Sequence, residues 1–167
     1  MKKNYMLVVA LLSHPGVSFS SDDFSILIHG AAIHSDCSKG KGTKSKSCEF
    51  NNSNPGVGLG WELWGDKDTG SKLYLNEGVY KDSFRELAIY SSLSYHKNWC
   101  FSEHVFAGLG FQAGYLNGSG MDGFAALPMV MLGYKSVALE IGYVPKMSFA
   151  VGRNHVAVTT FSLRWKL

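Results

Sequence analysis

The sequence predicts an all-β protein, an eight-stranded antiparallel transmembrane β-barrel with an internal pocket and a signal peptide at its N-terminus. The first observation behind this prediction is composition: hydrophobic residues make up 46% of the 167-residue chain and charged residues only 17%. A soluble domain carries about 25% charged residues, so this balance favours an outer surface that meets lipid. The other two observations are an export-type N-terminus and a repeated alternation of apolar and polar side chains.

The N-terminal segment has the layout of a secretory signal peptide. Lys2 and Lys3 precede an apolar run over residues 6–12, and Pro15-Gly16 and a serine-rich stretch follow. Such a run is too short to span a bilayer, which needs roughly 20 residues. We therefore expect cleavage after Ser20, with residues 21–167 forming one barrel domain. Removing two of the 16 basic residues leaves 14 against 13 acidic ones, which gives no sign of a nucleic-acid partner.

The end of the chain shows the alternation without interruption: Phe161, Leu163, Trp165 and Leu167 alternate with Thr160, Ser162, Arg164 and Lys166. One face of this strand suits lipid and the other suits a barrel interior. Because backbone groups in lipid must all be paired, the sheet is expected to close on itself. The same alternation predicts eight strands, near residues 23–35, 55–64, 71–81, 86–96, 103–115, 123–134, 137–146 and 156–167.

The connections between these strands are expected to alternate in length. Those at 66–70, 98–102 and 135–136 are short, whereas those at 36–54, 116–122 and 146–155 are mostly longer. Short turns belong at the periplasmic end of such a barrel and longer loops at the outer end. The alternation therefore fits an even number of strands.

The inward face of the predicted barrel is unusually rich in glycine, at positions 58, 60, 108, 110, 114 and 142. An eight-stranded barrel has an interior just wide enough for side chains or for one small ligand. So many missing side chains predict an internal pocket. The alternative is that Trp64, which is expected to share the inward face, fills the space together with Phe106 and the tyrosines.

Two prolines fall in strands that a tight Lys135-Ser136 turn would make neighbours. Pro128 and Pro145 each lack a backbone donor, so together they weaken one seam of the barrel wall. A lateral opening for a lipid chain is one use of such a seam. The other interpretation is that both prolines are simply tolerated near strand ends.

Several segments, in this order, carry a resemblance to a known family. Asp82-Ser83 lies within residues 80–84, Gly108-Leu109-Gly110-Phe111 lies within the fifth strand, and Leu127-Pro128 and Tyr143-Val144-Pro145 follow. Together with the final segment, residues 163–167, they resemble the lipid A palmitoyltransferases (PagP) of the Gram-negative outer membrane. The resemblance covers residues 25–167. It implies an outer-membrane enzyme, which we expect to be a monomer without a cofactor. No metal site is expected, because the six histidines are scattered without ligand spacing.

The resemblance also implies a reaction and its residues. The family transfers a fatty acyl chain from a phospholipid to the lipid A of lipopolysaccharide, using a histidine, an aspartate and a serine. Here these are His34, Asp82 and Ser83, with His29 as the alternative base. Topology supports the assignment independently, because His34 ends the first strand and Asp82-Ser83 follows the third. All three residues are therefore expected at the outer rim.

The chain departs from the family in two respects. The resemblance implies an amphipathic helix before the barrel, yet only a few residues separate the expected cleavage site from the first strand. The first loop also carries Cys37 and Cys48, which we expect to form a disulfide in an oxidising exterior. Cys100, at the opposite end, is expected to remain a free thiol.

The missing helix keeps a second function open, a non-catalytic small outer-membrane barrel with a surface-integrity or binding role. A third function, lipid A deacylation by a His-x-Ser motif, is disfavoured because the sequence contains no such motif.

Overall fold

A computed structural model describes residues 23–35, 50–145 and 157–167. They form one closed antiparallel barrel in which neighbouring strands are consecutive in the chain and the last pairs with the first. The predicted signal peptide and the predicted Cys37–Cys48 disulfide lie outside these residues. The eight predicted strands are confirmed, with these bounds: β1 Phe24–Ser35, β2 Ser53–Asp66, β3 Ser71–Lys81, β4 Leu87–Cys100, β5 Val105–Gly118, β6 Met121–Tyr134, β7 Val137–Val144 and β8 Ala157–Lys166.

Within the described ranges, no helix is long and apolar enough to cross a membrane.

The distribution of side chains across the wall is the reverse of that in a soluble protein. Large apolar side chains are exposed on the outer face, among them Val57, Leu59, Leu109, Phe111, Val130, Leu132 and Leu163. Charged and polar side chains are buried on the inner face, among them Asn76, Ser94, His96, Glu140 and Arg164. This arrangement suits a lipid solvent, in which the apolar side of each strand faces hydrocarbon.

Aromatic side chains form a band at the end of the barrel where β1 begins and β8 ends. Trp64, Trp99, Tyr134 and Trp165 lie near the ends of β2, β4, β6 and β8, and all four are about half exposed. Aromatic girdles mark the water–lipid boundary of membrane barrels. We call the opposite end, where β1, β3, β5 and β7 finish, the far rim.

A β-bulge in β2 corrects the predicted direction of Trp64. The register runs from Glu62 opposite Tyr74 to Trp64 opposite Leu73, so Leu63 is one extra residue in β2. An extra residue shifts the alternation by one position. Trp64 therefore points outward, with 51% of its surface exposed, and does not fill the interior.

The third connection at the far rim is shorter than the predicted loop over residues 116–122. β5 runs to Gly118 and β6 starts at Met121, which leaves only Ser119 and Gly120 between them. Both have positive φ, 57° and 73°, as the two-residue type I′ hairpin requires. At the other end, the second connection lies at residues 101–104 because β4 extends to Cys100.

Much of the interior toward the aromatic band is occupied by a polar network around Arg164. Its guanidinium donates to Glu140 at 2.5 Å, to Ser25 Oγ at 2.8 Å and to Asn76 Oδ1 at 3.0 Å. A Cβ at Gly60 would collide with this guanidinium, so glycine makes room for the arginine there. The inward glycines thus accommodate neighbouring side chains at this level, and the internal pocket stays a prediction.

Among the described residues, the ladder between β6 and β7 has the fewest pairs. Their pairing runs only from Met129 opposite Gly142 to Tyr134 opposite Val137, whereas β5 and β6 pair along their whole length. Pro128 directly precedes Met129, the last residue of β6 in this pairing, and Pro145 directly follows β7. The use of this seam for substrate access stays a prediction.

Candidate active site

A bulge in β1 decides where the two candidate histidines point. In a regular strand, residues 29 and 34 would face opposite sides of the sheet because they are five positions apart. Relative to β8, however, the register moves from His29 opposite Ser162 to Ala31 opposite Phe161, so Gly30 is an extra residue. Both histidines therefore face the interior, with His34 at the far rim and His29 deeper.

His34 and Ser83 meet at this rim. His34 Nε2 lies 2.9 Å from Ser83 Oγ, and Ser83 is largely buried. The main chain holds the contact in place, because the Asn51 amide donates to the Ser83 carbonyl oxygen at 2.9 Å. The spacing is within the reach that a nucleophile and a general base need.

The other sides of the His34 ring are also occupied. Nδ1 lies 3.4 Å from Asn52 Oδ1. The Phe50 ring stacks on the imidazole with centroids 4.5 Å apart and an interplanar angle of 16°. Phe50 in turn makes an edge contact with Phe84 at 5.8 Å. The residues that precede β2 therefore cover one face and one edge of the imidazole.

Asp82 is buried and organises the loop that carries Ser83. Its Oδ1 accepts the amides of Phe84 at 2.9 Å and Glu86 at 2.8 Å, and its Oδ2 accepts the Ser119 amide at 2.6 Å. The carboxylate thus ties the β3–β4 loop to the β5–β6 turn. These hydrogen bonds go to the main chain and not to His34. Of the three predicted residues, His34 and Ser83 therefore contact each other, and Asp82 holds the loop.

His29 lies in a different environment, between two hydroxyl groups. Its Nδ1 is 2.9 Å from Ser162 Oγ and its Nε2 is 2.8 Å from the Tyr90 hydroxyl. Its ring also contacts Tyr80 and Tyr90. Both ring nitrogens are engaged inside the barrel, away from the Asp82-Ser83 loop.

Sequence reasoning did not find Asn52, the partner of His34 Nδ1, or Ser119, the donor to Asp82. Asn52 lies outside the predicted second strand, and its position beside β1 depends on the hydrogen bond from the Ala32 amide to its carbonyl oxygen. No motif marks such a contact. Ser119 carried a signal, since Ser-Gly favours a turn, but a tight turn there was not predicted.

Elsewhere in the described part of the chain, no group of three or more His, Cys, Asp and Glu side chains lies together as a metal site would need. Cys100 is exposed and unpaired at the end of β4.

The sequence matches one family over residues 18–160, described as "Antimicrobial peptide resistance and lipid A acylation protein PagP". The chain belongs to the PagP family. Membership confirms the resemblance carried by the loop and proline motifs, and it indicates lipid A acylation in the outer membrane. No curated protein matches the chain.

Among solved structures, the crystal structure of Neisserial surface protein A (NspA) is similar. The match has 15% sequence identity and a TM-score of 0.44, and it covers 86% of this chain and 95% of the other.

Proposed function

We propose that the protein is an outer-membrane acyltransferase that moves a fatty acyl chain from a phospholipid to lipid A, with His34, Asp82 and Ser83 as its active-site residues. The observation that supports it best is the 2.9 Å contact between Ser83 Oγ and His34 Nε2 at the rim of a PagP-family barrel. The far rim then faces outward, where lipid A lies. The protein is exported by a signal peptide over residues 1–20 and acts as a monomer.

In this reaction His34 moves a proton between two oxygens. Nε2 takes the proton of an attacking hydroxyl while its oxygen forms a bond to the acyl carbon of the donor ester. The bond from that carbon to the glycerol oxygen breaks, and the proton passes to the departing oxygen. The attacking hydroxyl belongs either to lipid A directly or to Ser83. In the second case, a lipid A hydroxyl then attacks the acyl carbon of the Ser83 ester, Nε2 takes its proton, and the same proton returns to Ser83 Oγ as the bond from that oxygen to the acyl carbon breaks.

The seam between β6 and β7 supports the choice of a membrane phospholipid as donor. Beyond Met129 and Gly142, the described residues at the far-rim end of β7, Tyr143 and Val144, make no ladder pairs with β6. Unpaired backbone groups are unfavourable in lipid, so a gap in the ladder is expected to serve a function. We infer that the acyl chain of the donor enters the barrel between Pro128 and Pro145.

The bonds of Asp82 favour a second candidate function. The Asp82 carboxylate accepts three main-chain amides, and such bonds would also stabilise a loop that has no catalytic role. A non-catalytic barrel with a surface-integrity or binding role would keep this loop and have no use for the His34–Ser83 contact.

Mass spectrometry of lipid A separates the two functions. Cells that express the protein should carry lipid A with one additional acyl chain, and cells that express Ser83→Ala should lack it while the variant still folds. Ser136→Ala, in the β6–β7 turn at the opposite end, is the matched control and should keep the modification. Lipid A that is identical with and without the gene would leave the non-catalytic barrel as the better interpretation.

A further inference from the structure

The second ring nitrogen of His34 faces the side-chain oxygen of Asn52, an atom that accepts hydrogen bonds. Asn52 Oδ1 lies 3.4 Å from Nδ1, so the proton of a neutral imidazole belongs on Nδ1 in this arrangement. Nε2 then carries a lone pair, and it is this nitrogen that lies 2.9 Å from Ser83 Oγ. The geometry selects the tautomer in which the imidazole accepts a proton from the serine.

Asn52 is itself held in place by the main chain. Its carbonyl oxygen accepts the Ala32 amide at 3.0 Å, which fixes it beside β1 two residues before His34. The stacked Phe50 ring restricts rotation of the imidazole from the other side. An amide that sits on fixed backbone can hold the orientation of its partner, whereas a mobile surface side chain cannot.

The carboxylate of Asp82 does not serve this purpose. Both of its oxygens accept main-chain amides, at 2.6 to 2.9 Å, from residues of its own loop and the neighbouring turn. It therefore acts on the position of Ser83, which follows it in the chain. The task of orienting His34 falls to a different residue on a different strand.

We propose that Asn52 is the positioning residue of His34, holding its proton on Nδ1, while Asp82 positions the loop that carries Ser83. This inference rests on the proposed function, because it identifies the residue that orients His34, the general base of that reaction. It predicts that the partner of His34 Nδ1 is a neutral amide and not an acidic side chain.

The first test measures the tautomer directly and needs no activity. The purified barrel, with ¹⁵N-labelled histidine, is studied by NMR in detergent micelles, and the His34 signals are assigned from the spectrum of His34→Ala. The intact protein should carry the imidazole proton on Nδ1, and Asn52→Ala should shift the equilibrium toward the Nε2–H form. Asn117→Ala, at the far-rim end of β5 across the barrel, is the matched control and should leave the His34 signals unchanged.

The second test measures acyl transfer with phospholipid vesicles and lipid A. Asn52→Ala should lower kcat about tenfold or more with little change in KM, as expected when a hydrogen bond that aligns the base is lost. Asn52→Gln, which keeps an amide oxygen, should recover part of the lost rate. A merely structural asparagine would change the amount of folded protein and not the tautomer.

The outcomes of the two tests are distinct. An unchanged Nδ1 proton in folded Asn52→Ala would overturn the inference, whatever its activity. An intact protein that transfers no acyl chain, yet shows the tautomer shift in Asn52→Ala, would refute the proposed function and leave the positioning role in place.

Discussion

Two histidines on the same strand show how similar hydrogen bonds can belong to different kinds of site. His29 and His34 both face the barrel interior, and each has a serine hydroxyl 2.9 Å from a ring nitrogen. The second nitrogen of His29 meets the Tyr90 hydroxyl inside the barrel, whereas that of His34 meets Asn52 at the rim. The two histidines therefore differ in the partner of the second nitrogen, and only His34 lies where a substrate can reach it from outside the barrel.

The surroundings extend this contrast to the two halves of the barrel. Below His29, Arg164 and Glu140 form a buried ion pair that further hydrogen bonds complete. At the rim, Ser83 and His34 are joined to little besides each other and the segment that precedes β2. The buried cluster around Arg164 links several strands and so stabilises the fold. The His34–Ser83 pair lies at the rim, where a substrate can reach it.

The largest effect that we expect separates the two histidines. His34→Ala should lower the rate of acyl transfer by about 10²–10⁴-fold, the usual contribution of a general base, and leave the barrel folded. His29→Ala should retain more activity, because the His29 ring nitrogens contact Ser162 and Tyr90 and not Ser83. Its loss should instead reduce stability, by about 1–3 kcal/mol, since it leaves those two hydroxyls unpaired in the interior. Initial rates per amount of heat-modifiable folded barrel test this, and the reverse order would make His29 the base.

The second prediction concerns the inner half. Arg164→Ala should reduce the free energy of unfolding by about 3–5 kcal/mol, since it leaves the Glu140 carboxylate buried without its partner. Acyl transfer per folded molecule should be nearly unchanged. The measurement is urea unfolding in lipid vesicles, with the paired substitution Arg164→Met and Glu140→Leu as a control that should lose less stability. Equal losses in the single and paired variants would mean that the ion pair is not what stabilises this half.

The third prediction concerns the seam, where effects on stability should be small. Replacing both Pro128 and Pro145 by alanine restores two backbone donors, each worth about 0.5–1.5 kcal/mol if it finds an acceptor. Thermal stability should rise or hold, while acyl transfer should fall. Unchanged transfer in this double variant would show that the donor does not enter there.

The smallest effect concerns the connection between β1 and β2. Cys37 and Cys48 should be bonded to each other, so thiol labelling of the unreduced, denatured protein should modify Cys100 alone. The Cys100→Ser variant should then show no labelling at all without reductant. Modification of all three cysteines would exclude the disulfide.

The alternation of side chains was enough to predict the barrel and its strands, because every strand is solvated by lipid on one face and packed on the other. It was not enough to predict the bulges. Trp64 follows the alternation in sequence and yet faces outward, because Leu63 is inserted relative to β3. Whether a strand accommodates an extra residue depends on the register with its neighbour, which a single strand does not encode.

The candidate site also contains residues that could be predicted from the sequence and residues that could not. His34, Asp82 and Ser83 could be placed at one rim from strand order alone, since odd-numbered strands end there. Asn52 could not, because a long connection separates it from β1 and only the folded register brings it beside Ala32. The separation of Asp82 from His34 was also beyond the sequence, since it depends on which amides the carboxylate meets.

The extra residue at Gly30 has a consequence for how the gene can change. Losing that single codon would remove the irregularity between β1 and β8, with His34 four positions from His29 and still facing inward. Both imidazoles therefore face the interior whether or not the strand contains this extra residue. Homologous genes can differ by an in-frame codon in this stretch without turning either ring toward the lipid. In this strand, corresponding histidines are better matched by the side of the wall on which they lie than by their count along the chain.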